Sequence, residues 1–334
     1  MKRYLVKLLA FLAIQAVIAA VLWREIPAES DHYLATLADK HQALLHQPGP
    51  RLLILGGSST AFGISSPEFK QRLPLTPINM GMHAAAGLEF MLRHAECHVK
   101  PGDVVLLCPE FQLLVDSRMN PTPEIAQEML REWPTAADYL PSETLALCVS
   151  NEVPPTWKEY CDRAAIQDLQ QRLRLGRSGL IKKYAPSWAL RFRYLRSGFN
   201  EFGDMVGHYD REPRPFHIPP PSMVNAGCVR AVAARINRFA ETCQGKHAQV
   251  YFAYAPLLKG TQANADQLHH VLFEELRIPI LHHPAECEFT AEKFFDSTLH
   301  MAKEGAQERS RFLADRLEKQ LRLAQETGGS QIRR

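Results

Sequence analysis

Three residues far apart in the chain have the types that together activate a hydroxyl: Ser58, Asp296 and His300. Ser58 follows the aliphatic run 51–55 and the pair Gly56-Gly57, where an apolar strand must turn sharply. A serine hydroxyl is a weak nucleophile at neutral pH. It needs an adjacent base, usually a histidine that a carboxylate orients. Asp296 and His300 stand four residues apart in "DSTLH", in a predicted loop just before the last helical stretch. Such a loop brings a carboxylate and an imidazole to one rim of a sheet, and the order Ser, Asp, His is one that α/β hydrolases use. "GGSST" lacks the Gly-Lys-Ser/Thr ending of a phosphate loop, which excludes nucleotide binding of that kind. Ser58-Ser59 as a plain helix cap, and His300 as a packed loop histidine, are the purely structural alternatives.

The elements that must position these groups follow a βαβ rhythm. "RLLIL" (51–55) reads as a strand buried on both faces of a parallel sheet. A helix is predicted over 67–73, a strand at the start of 76–87, a helix over 88–97 and a third strand within 101–111. The rhythm stops after Phe111. Residues 112–222 contain helical pieces (122–132 and 156–175) and many prolines, and read as an insertion or cap. It resumes with a helix over 225–243, a strand over 248–256, a helix over 263–276 and a strand over 278–284. A long helix over 302–325 closes the domain, with Phe312, Leu313, Leu317 and Leu321 on its inner face. The pattern defines an α/β fold with a doubly wound parallel sheet.

The 334-residue chain is long enough for a large core, and its net charge of +3 gives no argument for nucleic acid. Seven cysteines show no zinc-type spacing and an odd count, so no disulfide framework is expected, nor a metal. The N-terminus is more informative. Lys2, Arg3 and Lys7 precede an apolar run, and the 20 residues from Tyr4 to Trp23 suffice to cross about 30 Å of hydrocarbon. Basic residues before the run and mixed charges after it place the N-terminus in the cytoplasm and the bulk outside. An uncleaved anchor (1–24) is expected, with a cleaved signal peptide as the rival. Residues 25–50 form a juxtamembrane helix and linker, the folded domain spans 51–325, and 326–334 are read as a disordered tail.

Together these motifs resemble the SGNH (GDSL-like) hydrolases, and more narrowly their membrane-anchored DltD-like and polysaccharide O-acetylation branch. The first block is Gly56-Gly57-Ser58, with Thr60 and Gly63-Ile64 following. The second is "NMG", and the last is "DSTLH" with Gly305 downstream. The resemblance covers about 51–111 and 225–320. It implies a flavodoxin-like three-layer fold, an N-terminal transmembrane helix and a largely helical insertion. It assigns Ser58 as nucleophile, His300 as base, Asp296 as its orienting carboxylate, and the N–H groups of Ser58 and Gly81 as oxyanion donors. It requires no cofactor. The third block, Gly-x-Asn-Asp, departs: "CPEFQ" stands after the third strand, and "GFNE" (198–201) matches only by letter.

Four further residues are candidates for substrate binding. Glu110 stands at a strand end, and His83 just past Gly81. Trp188 and Arg191 lie in a stretch, 169–200, that has basic and aromatic residues and no acidic one. Such a stretch suits anionic head groups or a charged glycan. The expected protein is an inner-membrane, outward-facing esterase or acyltransferase. Its partners would be an acylated envelope glycan or lipid-linked carrier, and a membrane-bound O-acyltransferase. A catalytically degenerate relative that binds polymer or scaffolds such an acyltransferase is the alternative.

Overall fold

Four short, largely buried runs pair into one parallel sheet, the central two, 51–55 and 104–107, being aliphatic on both faces. A computed structural model describes residues 2–24, 30–116, 119–150, 194–218, 220, 222–261 and 264–331. The N-terminal part holds helix α1 (Lys2–Arg24), α2 (Thr36–His46), strand β1 (Arg51–Leu55), α3 (Ser58–Gly63), α4 (Ser66–Arg72) and β2 (Thr76–Asn79). Next come α5 (Leu88–His98), β3 (Val104–Leu107), α6 (Phe111–Val115), α7 (Pro123–Glu132) and α8 (Ser142–Ser150). The C-terminal part holds α9 (Ala226–Gly245), β4 (Gln249–Phe252), β5 (Leu257–Leu258) and α10 (Ala265–Glu275). It ends with β6 (Glu288–Phe289), β7 (Phe294–Ser297), β8 (His300–Met301) and α11 (Lys303–Gln331).

The sheet order is β2-β1-β3-β4, all parallel. Its period of two splits the aliphatics between two cores. Leu53, Leu55, Val105, Leu107, Val250 and Phe252 pack with Leu92 of α5, Phe239 of α9 and Leu268 of α10. Leu52, Ile54, Val104, Leu106 and Tyr251 pack with Phe69 of α4 and with Leu313 and Leu317 of α11. Full burial of one such side chain contributes about 2 kcal/mol. The structure therefore has the expected α/β architecture, with helices on both faces of a parallel sheet.

A buried ion pair pins the N-terminal edge of the sheet. Arg51 and Asp103 are both fully buried. Arg51 Nε donates to Asp103 Oδ1 (3.0 Å), and its guanidinium also reaches Leu44 O (2.5 Å) and His98 O (2.8 Å). One side chain thus closes the C-terminal ends of α2 and α5 against the sheet, meeting carbonyls that those helices leave unpaired.

Three elements differ from expectation. Residues 278–284 make a single parallel bridge, Phe252 with Ile280, rather than a strand. Pro279 has no N–H for the ladder, which limits pairing there. Asp296 and His300 lie on the antiparallel pair β7–β8, not in a plain loop. Helix α11 runs on to Gln331, through part of the expected tail. The predicted helix 156–175, with Trp188 and Arg191, lies outside the described residues, as does Cys161. The other six cysteines are free.

The expected anchor coincides with the backbone helix α1. Among the described residues no helix is long and apolar enough to cross a membrane, and the side chains of 17–24 lie outside them.

Candidate active site

The turn from β1 into α3 is built for close approach. A Cβ on Gly56 would meet Thr60 Oγ1 at 2.1 Å and Cys108 O at 2.4 Å. A Cβ on Gly57 would meet both Glu110 carboxylate oxygens, at 2.3 and 2.4 Å. Only glycine fits either position. Ser58 opens α3 and is 9% exposed. Among the described residues no hydrogen bond from its N–H or its hydroxyl is found.

Glu110 holds this turn from beneath. Its carboxylate accepts from the N–H of Gly57 (2.9 Å) and of Ser59 (2.7 Å), the amides on either side of Ser58. Glu110 follows β3, the neighbour of β1, so the register brings it under the turn. Burial raises its pKa, and the backbone hydrogen bonds act against that rise. This corrects the expectation that Glu110 binds substrate: it is fully buried and both oxygens are engaged. It also gives the residues at two positions a common packing role. A carboxylate after β3 grips the turn, and a glycine precedes Ser58 to leave it room.

Gly81 also differs from expectation. Its N–H donates to the Asn79 side-chain oxygen at 2.9 Å, so it is not an open oxyanion donor. The glycine serves packing instead, because a Cβ there would lie 2.3 Å from the Ala61 nitrogen of α3. Asn79 is the hub: its amide group donates to Thr60 O (3.1 Å) and to Asp204 Oδ1 (2.8 Å). Asp204, buried, also accepts from the N–H and hydroxyl of Ser66 and from Asn200. Asn200 of "GFNE" therefore belongs to this scaffold and not to an oxyanion hole. From the other side, buried Arg309 of α11 donates to Ser59 O (3.2 Å), Gly63 O (3.2 Å) and Tyr254 O (3.3 Å). The first two bonds meet carbonyls of α3, a helix too short to pair most of its own.

Asp296 and His300 face each other across β7–β8, with His300 Nδ1 2.9 Å from Asp296 Oδ1. A carboxylate partner fixes the proton on Nδ1 and leaves Nε2 as the basic nitrogen. The His300 ring stacks on Phe62 of α3, with centroids 4.0 Å apart and planes at 17°. Phe62 stands one helical turn after Ser58, so this contact docks the imidazole on the helix that Ser58 begins. Burial alone would raise the Asp296 carboxyl, but hydrogen bonds from His300 and Tyr194 outweigh it and hold the group below the usual range.

Tyr194 and His208 were not anticipated. The Tyr194 hydroxyl donates to Asp296 Oδ2 and lies 3.4 Å from His300 Nδ1, while its ring meets Phe62 edge-on at 4.5 Å. Its pKa is raised by burial and by the Asp296 carboxylate. His208 Nε2 donates to Met301 O at 2.8 Å. Both belong to the end of the insertion, which returns to α3 through Met205 N–H to Ala61 O (2.8 Å). Arg196 on the same segment forms a two-pronged contact with Asp39 of α2 (2.7 and 2.5 Å). The only advance signal was an aromatic residue in a basic stretch.

His83 caps a short 3-10 turn, its Nδ1 accepting from Ala85 N–H at 3.1 Å. That bond leaves the proton on Nε2. Partial burial, then repulsion from His300, hold its pKa below the ordinary value, so the ring is neutral and can donate.

No protein-family model, curated protein or solved structure matches this chain.

Proposed function

We propose that this protein is a serine esterase or acyltransferase of SGNH type. It is anchored in the inner membrane by α1 and acts outside the cytoplasm on acyl groups of an envelope glycan or lipid-linked carrier. The observation that carries the reading is the Asp296–His300 hydrogen bond on a hairpin stacked against the helix that starts at Ser58. The sheet order agrees with the flavodoxin-like fold of that family.

His300 Nε2 takes the Ser58 proton as Oγ attacks the ester carbonyl, then returns it to the leaving oxygen. Asp296 stabilises the imidazolium that forms between these steps. The Ser58 N–H and the His83 Nε2–H supply the oxyanion donors, in place of Gly81 and the absent third-block asparagine. Water or a sugar hydroxyl then attacks the acyl-serine.

The basic residues Lys2, Arg3 and Lys7 at the start of α1 and the exposed Tyr4, Val6, Leu8 and Phe11 on it support the anchor. A reporter fused after Gln47 tests it: extracytoplasmic alkaline phosphatase activity is expected, and a cytoplasmic readout overturns it.

Hydrolysis of p-nitrophenyl acetate tests the chemistry. Activity is expected in the wild type and at background in Ser58→Ala with an unchanged circular dichroism spectrum. Equal rates in the two remove Ser58 from the mechanism. One observation favours the scaffold reading: the Gly81 amide is already occupied. Wild-type protein that neither cleaves acyl esters nor transfers acyl groups, yet binds envelope polymer, would favour that second reading.

A further inference from the structure

At the opposite edge of the sheet from Ser58, three imidazoles converge between α2 and α5. We propose that His41, His94 and His98 bind one divalent d-block cation of the zinc type. Their ligand nitrogens all lie within 4.8 Å of one another. His94 and His98 are four apart on α5, the spacing that puts two imidazoles on one helix face. His41 comes from the facing helix α2.

One ligand pair already has the spacing that the ion needs. Zn–N bonds of about 2.05 Å set ligand nitrogens about 3.3 Å apart at the corners of a tetrahedron. His41 Nδ1 and His94 Nε2 are already 3.1 Å apart. As neutral rings they share one proton. A cation between them needs only that the donor ring move its proton to its other nitrogen, so no proton is released. His98 completes the triangle, its ring fixed by the Tyr139 hydroxyl at 2.8 Å. A fourth position is left for water.

Aromatic side chains enclose the rings. Trp133 and Tyr139 wall the cluster, with Trp133 at 5.0 Å from His41 and 5.3 Å from His94. Of the charges that face the cluster, Arg51, Lys100 and Lys246 act against a cation near His98, as does His46 near His41. Arg51 is compensated by Asp103, and Asp138 faces His41 with the favourable sign. A bound ion would tie α2, the helix that follows the anchor, to the body of the domain. Its role would be structural and independent of the serine chemistry.

Titration of the untagged full chain in detergent with Co²⁺, then Zn²⁺, tests this. One equivalent of Co²⁺ is expected to give the intense visible bands of a tetrahedral site and to be displaced by Zn²⁺. Half-exposed His98→Gln, which should fold, is expected to weaken binding at least tenfold and to abolish the rise in melting temperature that Zn²⁺ gives. Weak octahedral-type bands in the wild type, or an unchanged titration in His98→Gln, overturn the proposal.

Discussion

Gly57→Ala probes the packing that sets the turn before Ser58. The new methyl would stand 2.3 and 2.4 Å from the Glu110 oxygens, so the carboxylate must leave its place. It then loses the amides of Gly57 and Ser59, at 2.9 and 2.7 Å. A hydrogen bond to a charged group is worth about 1.5–3 kcal/mol, so the loss of two sets a cost of about 3–6 kcal/mol. Glu110→Ala removes the same two bonds and is expected to cost about as much. The double variant is the informative one. With the carboxylate gone, the methyl takes part of the vacated space, and the two costs do not add. Urea unfolding of the four proteins should give a coupling of about 3 kcal/mol or more, where independent sites add within about 0.5 kcal/mol. Additivity within that margin would refute the claim that Glu110 holds the turn through the space left at Gly57.

Tyr194→Phe keeps the ring on Phe62 and removes the hydroxyl from Asp296. For the ester cleavage proposed above, about a 10- to 100-fold drop in kcat with KM little changed is expected from the worth of such a bond. Asp296 has its pKa depressed below 3.8, so its contribution to stability is present above that value and lost as pH falls through the lower folded one. The stability difference between wild type and Asp296→Asn, from denaturant titrations, should therefore be flat above about pH 5 and shrink below about pH 3.8. Arg309→Met leaves three buried carbonyls without their donor, and a loss of about 3 kcal/mol or more is expected in urea. Arg309→Lys should recover little of it, because one ammonium cannot span all three acceptors.

Much of the scaffold could be read from the chain because local pattern determines it. Aliphatic runs such as 51–55 need burial on both faces, and the helices that follow carry apolar stripes at helical spacing. Ser58, Asp296 and His300 stood out because a glycine-rich strand end and a carboxylate–histidine pair are local signals. The support around them was not legible. Glu110 looked like a charged residue at an open rim, whereas the β1–β3 register turns it under the Ser58 turn. Gly81 looked like an amide donor, but an Asn79 side chain two residues back already accepts from it. Tyr194 and Arg309 act over 102 and 250 residues of separation, on Asp296 and Ser59 respectively, and no local pattern announces such contacts.

Labelling with a fluorophosphonate probe, followed by peptide mass spectrometry, bears most directly on the central chemistry. One adduct per chain on Ser58 is expected, absent in Ser58→Ala and slowed at least 100-fold in His300→Ala. An adduct that forms at the same rate without Ser58 or without His300, or no adduct on the folded wild-type chain, would contradict it.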